Sequence, residues 1–246
     1  MPIRRLPDHL VNQIAAGEVV ERPASALKEL VENALDAGAT RIAIDLSAGG
    51  VEHLSVNDNG CGMSAAELRL AVERHATSKL PDEDLSAIAT MGFRGEALPS
   101  IASVARLSLA SRTAGGEGWE LVIDNSHVVA DGPAAQMAGT RVAVDGLFAQ
   151  VPARRKFLKS ERSELAACVD VVRRLAMARH EVGFTLEHEG RRVLSLPPGQ
   201  TPAERVTALT DRELPANSVA VDLEREGLVL GGIAGSNIAA SGHRHD

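Results

Sequence analysis

The stretch LKELVENALDAG, residues 27–38, constrains the fold of this chain more than any other. Its apolar side chains recur at the spacing of an amphipathic helix, and Gly38 is placed to end that helix. These apolar residues are Leu27, Leu30, Val31, Ala34 and Leu35. Glu29, Asn33 and Asp36 lie on the opposite face, although asparagine is a poor former of helix interiors. One face must therefore cover a core, and the other faces either water or a ligand.

The rest of the chain mixes predicted helices with predicted strands. Pro23 suits the first turn of the helix above, and Ser64 and Glu67 form a capping box for a second helix that runs to about His75. The other predicted elements are a β-hairpin over 41–56, a loop over 76–90, a glycine turn entering a helix over 92–104, two strands over 119–130 and 140–148 that pair with each other, a helix over 163–178, and a hairpin over 184–196 that turns at 189–190.

The sequence PPGQTP interrupts this pattern near residues 197–203 and predicts a domain boundary. Residues 1–200 are assigned to the first domain. Residues 201–246 are assigned to the beginning of a second, incomplete domain, because about forty residues are few for an independent core.

Composition limits the classes of protein that this chain can belong to. Only 2% of its 246 residues are aromatic, which argues against a single-strand binder that stacks bases on aromatic side chains. Cys61 and Cys168 are far apart and lack metal-binding spacing, which favours a reducing compartment. No apolar run reaches the ~20 residues of a membrane span. We therefore expect a cytoplasmic protein.

Charge is unevenly distributed along the chain. The net charge is −7, but residues 151–180 hold eight Lys or Arg and three Asp or Glu. A local basic surface on an acidic body is compatible with contacts to phosphate or nucleic acid, and equally with a solvated basic helix.

Four short features carry the residue types of a nucleotide site. Glu29 and Asn33 lie one helical turn apart, so that a carboxylate could activate water while an amide oxygen binds magnesium. Taken alone, such a face is most often only solvated. The sequence DNGCGM offers Asp58 to the exocyclic amine of adenine between permissive glycines, a site that would prefer ATP to GTP. The structural alternative is a hairpin turn at Asn59-Gly60.

The third feature is GFRGEAL, where two glycines precede a predicted helix and leave backbone N–H groups for phosphate. The fourth is Gly139-Thr140 at the opening of a predicted strand. Neither a Walker sequence nor a GxGxxG motif after a strand occurs, which excludes a P-loop and a Rossmann site. The eight histidines show no metal-ligand spacing, and His243 and His245 are interpreted as part of a frayed tail.

Together these features resemble the GHKL ATPases, which include type II topoisomerase ATPase domains, related heat-shock chaperones and sensor histidine kinases. Within that superfamily the chain is most similar to the amino-terminal ATPase region of the MutL mismatch-repair proteins. The similarity rests on NQIAAGEVVERPASALKELVENALDAGATRI, DNGCGM, RHATSKL, GFRGEAL and PARRKFLK. It implies an α/β two-layer sandwich with a mixed sheet backed by helices.

The resemblance also implies roles for individual residues. Glu29 would be the general base, Asn33 the Mg2+ ligand and Asp58 the acceptor for the adenine amine, whereas Asp36 receives no role. The other implied nucleotide-binding residues are Gly60, Gly62 and Met63 at the base, Thr77, Ser78 and Lys79 in a lid, Gly92, Phe93, Arg94, Gly95, Glu96, Ala97 and Leu98 at the phosphates, and Thr140.

The function implied by the resemblance is Mg2+-dependent ATP binding with slow hydrolysis in DNA mismatch repair. ATP would order the lid and close a homodimer, with a MutS-type protein and other repair proteins as partners and no membrane. DNA would be contacted weakly through Arg154, Arg155, Lys156 and Lys159.

This chain departs from the family pattern in two places. It reads Phe148-Ala149-Gln150-Val151 where relatives usually have a tyrosine and an asparagine, and the family's second-domain lysine with its VNGR neighbourhood does not occur before residue 246. We therefore expect weak turnover. The alternatives are another GHKL enzyme, or a nucleotide-gated DNA clamp or adaptor without significant hydrolysis.

Overall fold

The fold is a mixed eight-stranded β-sheet backed by helices, followed by a separate two-stranded hairpin. The computed structural model describes residues 16, 19–74, 76, 95–210 and 218–235. Its strands are β1 (Arg41–Ser47), β2 (His53–Asp58), β3 (Arg106–Arg112), β4 (Trp119–Asp124), β5 (His127–Pro133), β6 (Gly139–Asp145), β7 (Gly183–His188), β8 (Arg191–Leu196), β9 (Ser218–Arg225) and β10 (Leu228–Gly235). The large sheet has the order β5-β4-β3-β6-β2-β1-β7-β8.

Six α-helices have both of their ends in the described part of the chain. They are α1 (Pro23–Asp36), α2 (Ala65–Ala71), α3 (Ala97–Ala102), α4 (Pro152–Arg155), α5 (Glu161–Ala178) and α6 (Pro202–Leu209). None of these helices is both long and apolar enough to span a membrane. Burial alternates along β1 and β3, so that one face of the sheet is covered, as expected for two layers.

Helix α1 begins and ends where its sequence predicts. Pro23 occupies its first position, and Gly38 adopts a φ of 74° just past its end, where its N–H donates to Leu35 O at 3.0 Å. The predicted apolar face is buried against the sheet and α5. Burying each leucine stabilises the fold by roughly 1.5–3 kcal/mol relative to exposure.

Both predicted hairpins are confirmed. Strands β1 and β2 pair antiparallel, and β7 pairs antiparallel with β8 through a turn at Glu189 and Gly190, whose φ angles are 50° and 69°. The capping box of Ser64 and Glu67 is also present, although α2 ends at Ala71 rather than near His75. The only parallel pairing within the described sheet joins β1 to β7.

The predicted pairing of residues 119–130 with 140–148 is wrong. The first segment forms part of a hairpin of its own, β4 with β5, and β6 pairs instead with β2 and β3. Strand β3 lies between β4 and β6, and such pairing depends on contacts between distant segments that local patterns do not reveal.

Helix α6 begins at the last residue of PPGQTP, and Arg205 joins it to the end of α5. That side chain is fully buried, and its guanidinium donates to carbonyl oxygens at the end of α5 and beyond, including Ala176 O at 2.8 Å and Val182 O at 2.7 Å. The hairpin β9–β10 carries several exposed apolar side chains. The division into residues 1–200 and 201–246 stays a prediction.

Candidate nucleotide-binding site

The end of α1 lies beside the loop that follows β2. Glu29, Asn33 and Asp36 are all half-buried on one face, and the Glu29 side chain is 32% exposed with one carboxylate oxygen 3.8 Å from Lys28 Nζ. The loop is tied to the end of this helix because Cys61 N donates to Ala37 O at 3.0 Å. The helix that carries Glu29 and Asn33 and the DNGCGM loop are therefore neighbours in the fold.

Asp58 is the last residue of β2, a central strand between β1 and β6. It pairs with Ile42 on one side and with Thr140 on the other. Its residue is 9% exposed, and Oδ1 accepts a hydrogen bond from Gly60 N at 2.8 Å. Burial raises the pKa of the Asp58 carboxyl, and hydrogen bonds from the backbone of Gly60 and Thr140 oppose that rise. The strand order thus brings Asp58, Gly60 and Thr140 together.

A buried serine that the sequence did not single out joins these elements. Ser111 in β3 is 0% exposed, its Oγ lies 2.8 Å from Thr140 Oγ1, and it accepts a hydrogen bond from Met63 N at 2.8 Å. It continues the inward alternation of Leu107 and Leu109. A serine at such an inward position was the available signal, because a buried hydroxyl needs a polar partner.

Two glycines let backbones approach closely in this region. Gly62 has a φ of +70° and Gly139 a φ of +120°, which L side chains rarely adopt. A Cβ at Gly62 would overlap with Arg112 O, and one at Gly139 would overlap with Asp58 O. These positions therefore require glycine.

Asn59 does not form the hairpin turn that Asn59-Gly60 suggests as a structural alternative. Its Oδ1 accepts hydrogen bonds from Thr40 N at 2.9 Å and Arg41 N at 2.8 Å, and its Nδ2 donates to Thr40 Oγ1 at 2.9 Å. Asn59 thus fastens the loop after β2 to the start of β1, while Asp58 remains in the ladder.

The predicted phosphate and lid segments are described only in part. Thr77, Ser78, Lys79, Gly92, Phe93 and Arg94 lie outside the described residues. Gly95, with a φ of +60°, is packed so closely on the Ala76 backbone that a Cβ would overlap with Ala76 O. Glu96 is the N-cap of α3, whose first residues Ala97 and Leu98 are half-buried. Ala76 and Gly95 therefore lie side by side.

The four basic residues predicted to face DNA differ from one another. Arg155, Lys156 and Lys159 are exposed beside Phe157, which is 86% exposed. Arg154 instead stacks on the ring of the buried Phe148, 5.6 Å from its centroid, and donates to Val20 O at 3.3 Å. Three of the four side chains are thus available to a partner on geometry alone.

Comparison with known proteins agrees with this geometry. Residues 21–137 match a family described as Histidine kinase-, DNA gyrase B-, and HSP90-like ATPase. The chain is 69% identical over 233 residues to the DNA mismatch repair protein MutL of Sphingopyxis alaskensis, a match that covers 95% of this chain and 39% of that protein. The chain thus spans about two fifths of that relative's length.

Two solved structures extend the likeness to the fold. The Aquifex aeolicus MutL ATPase domain complexed with ADP is 33% identical with a TM-score of 0.63, and the match covers 78% of this chain and 69% of that one. The N-terminal domain of a DNA repair protein is 27% identical with a TM-score of 0.74, over 87% of this chain and 64% of that one.

Proposed function

Because the chain belongs to the MutL family, within its amino-terminal GHKL ATPase region, we propose that it binds ATP with Mg2+ and hydrolyses it slowly in DNA mismatch repair. Binding, rather than released phosphate, would drive ordering of the lid and closure of a dimer. The second candidate is a nucleotide-gated DNA clamp or adaptor without significant hydrolysis. The exposed basic residues Arg155, Lys156 and Lys159 favour a DNA-facing role in either case.

The buried carboxylate of Asp58 is the observation that carries the proposal. The backbone groups of Gly60 and Thr140 use two of its acceptor positions, and an ionised carboxylate has about four. The exocyclic amine of adenine is a donor that fits a remaining position, whereas guanine presents a carbonyl oxygen at the equivalent place. The proposed site therefore prefers ATP to GTP.

The surrounding backbone would enclose the base. Gly62 and Gly139 let the backbone at Arg112 and Asp58 approach closely, and Met63 is held by the hydrogen bond from its N–H to Ser111 Oγ at 2.8 Å. Thr140 presents its hydroxyl 2.8 Å from the same serine oxygen. These contacts support a preformed pocket, because its walls are fixed by interactions within the chain.

The phosphate end is assigned to the polar face of α1. Glu29 would hold the attacking water through a carboxylate oxygen and accept its proton. Asn33, one turn later and also half-buried, offers an amide oxygen, which is a hard donor of the kind that Mg2+ prefers. Bound there, Mg2+ would offset the negative charge of the phosphates. Residues 92–98 and the lid residues Thr77, Ser78 and Lys79 complete the proposed site.

The general-base role is tested by single-turnover ATP hydrolysis with Glu29→Gln. The variant should bind ATP normally and lose turnover by about 10²–10⁴-fold, the range of general-base catalysis. Asp36→Asn is the matched control, because it makes the same change on the same half-buried face of α1 and should keep turnover.

An unchanged rate in Glu29→Gln would remove the residue from the catalytic role. If the unaltered chain binds ATP and Mg2+ without measurable turnover, the clamp or adaptor becomes the better description. Loss of ATP binding in both variants would point to a structural defect of α1 rather than to catalysis.

The proposed partners are DNA, a second copy of the chain, a MutS-type protein and other repair proteins. For DNA, neutralising Arg155 and Lys156 should make binding less dependent on salt. The slope of log K against log salt concentration should become shallower by about 0.9 for each phosphate that the protein no longer neutralises. Arg154→Ala is expected to affect stability as well, because its guanidinium packs on Phe148. An unchanged slope after neutralisation excludes Arg155 and Lys156 from the interface.

The proposed location is the cytoplasm. Cys61 is exposed and Cys168 is buried, and both are free thiols. Burial raises the pKa of the Cys168 thiol to about 12, so this cysteine stays protonated and unreactive. Free thiols fit a reducing compartment.

A further inference from the structure

We propose a second cation site, formed by Glu161, His188 and Glu189, that takes a zinc-type divalent ion independently of nucleotide. One ligand atom from each of these three side chains lies within 4.8 Å of the other two. The residues come from the first turn of α5, the end of β7 and the β7–β8 turn. The sequence gives no sign of the cluster, because Glu161 lies far along the chain from the adjacent pair.

The cluster lies away from the nucleotide pocket along the sheet. Asp58 pairs with Ile42 near the start of β1, whereas His188 pairs with Leu46 near the end of the same strand. Four residues of strand correspond to about 13 Å. The two sites therefore do not share ligands.

The geometry brings three acceptor atoms together. His188 Nε2 lies 3.4 Å from Glu161 Oε1 and accepts a long hydrogen bond from Gly49 N at 3.2 Å. Glu189 Oε1 accepts from Ala48 N at 2.9 Å. Because Nε2 accepts from a backbone N–H, it carries no proton, and Gly49 N engages its single in-plane lone pair through this long bond. The ion would take that lone pair in place of the Gly49 N–H.

This arrangement lacks positive charge. Two carboxylate oxygens lie near the imidazole nitrogen, and within the described residues neither Glu161 nor Glu189 has an ion pair with lysine or arginine. The His188 side chain is 14% exposed, so solvent screens its ring only partly. A divalent cation bound by all three atoms would remove the repulsion.

The donor set selects the kind of ion. One imidazole and two carboxylates suit Zn2+, whereas Mg2+ prefers oxygen ligands in an octahedron. Tetrahedral Zn2+ with bonds of about 2.1 Å holds its ligand atoms about 3.4 Å apart. The separation between His188 and Glu161 equals this value. The remaining coordination position would be filled by water.

The proposed ion would bridge elements that already meet at the β1–β2 connection. The β1–β2 connection is packed on the start of α5, since a Cβ at Gly49 would lie 2.6 Å from Glu161 O. A metal bridging α5 to the β7–β8 turn would close this corner of the sheet, so binding should stabilise the folded chain.

The test is a Zn2+ titration of the nucleotide-free chain after treatment with a chelator. His243 and His245 are replaced by alanine in every sample, so that the tail cannot supply ligands. The expected result is one saturable site per chain, a rise in the thermal unfolding midpoint, and a visible spectrum when Co2+ replaces Zn2+. His188→Gln should abolish all three signals, and Glu161→Gln should weaken binding at least tenfold.

His180→Gln is the matched control, because this half-buried histidine contacts Gln200 O at 2.7 Å outside the cluster and should leave Zn2+ binding unchanged. If His188→Gln does not fold, Glu161→Gln still decides, since the Glu161 side chain is 56% exposed. No saturable Zn2+ binding, or equal binding in the parent and Glu161→Gln, overturns the proposal. ATP binding measured on the same samples is expected to be unaffected, which separates this proposal from the nucleotide site.

Discussion

Glu32, Asp58 and Glu164 are the buried carboxylates among the described residues, and the surroundings of Glu164 and Asp58 differ. Glu164 in α5 is 1% exposed, and Arg22 donates to its Oε2 through Nε at 2.9 Å and Nη2 at 2.8 Å, while Lys159 N donates to its Oε1 at 2.8 Å. Asp58 is 9% exposed, and the hydrogen bonds found for it within the described residues come from backbone groups. One carboxylate is neutralised by the fold, and the other is not.

The difference indicates that the charge of Glu164 serves the stability of the fold, whereas the charge of Asp58 does not. Burying an ion without a partner is costly, and the raised pKa of Asp58 expresses that cost. A fold that required only stability would place an apolar or amide side chain there. A ligand that donates to the carboxylate would account for an aspartate at this position, as the adenine amine would in the proposed function.

The largest expected effect on stability belongs to Glu164. Glu164→Gln should lower the free energy of unfolding by about 2–3 kcal/mol, less than for a fully buried pair because Arg22 remains 30% exposed. The measurement is urea denaturation at neutral pH. ATP affinity should change little, because this carboxylate lies outside the proposed pocket.

The matched control for Glu164 is the exposed pair of Asp170 and Arg174, which are 2.9 Å apart on α5. Asp170→Asn should cost no more than about 0.5 kcal/mol, as is usual for exposed helix pairs. Equal effects of the two variants would contradict the claim that burial makes the Glu164 network important.

Asp58→Asn should change the free energy of unfolding less than Glu164→Gln does. At neutral pH the change should be in the opposite direction, towards greater stability. Because the folded-state pKa of Asp58 is raised above 3.8, the unaltered chain loses stability relative to the variant as pH rises through that folded pKa. Below 3.8 the two should be similar. Urea denaturation of both proteins from acid to neutral pH checks this. A parent that instead gains stability relative to the variant with rising pH would show that the carboxylate is stabilised by the fold.

Local sequence patterns predicted the elements that depend on local chemistry. Helix α1 follows from apolar spacing together with Pro23 and Gly38, α2 from its capping box, and the β7–β8 turn from Glu189-Gly190. The order of strands in the sheet could not be obtained this way, because pairing across the sheet depends on contacts between distant segments. That is why the position of β3 was missed.

The same limit applies to the candidate sites. Glu29, Asn33, Asp58 and Thr140 were found from motifs and a family resemblance. Ser111 carries no motif, and its importance depends on β3 lying against β6. The cluster at His188 likewise exists only because the start of α5 meets the β7–β8 turn. Such sites are set by tertiary packing rather than by spacing in the chain.

The central claim is that Asp58 is kept buried to recognise adenine, and competitive nucleotide titration tests it most directly. With Mg2+ present, the unaltered chain should bind ATP more tightly than GTP, and Asp58→Asn should weaken ATP by about 10–100-fold, the value of a hydrogen bond to a charged group. GTP binding should change little. Equal losses for ATP and GTP, or no preference in the unaltered chain, would contradict the account.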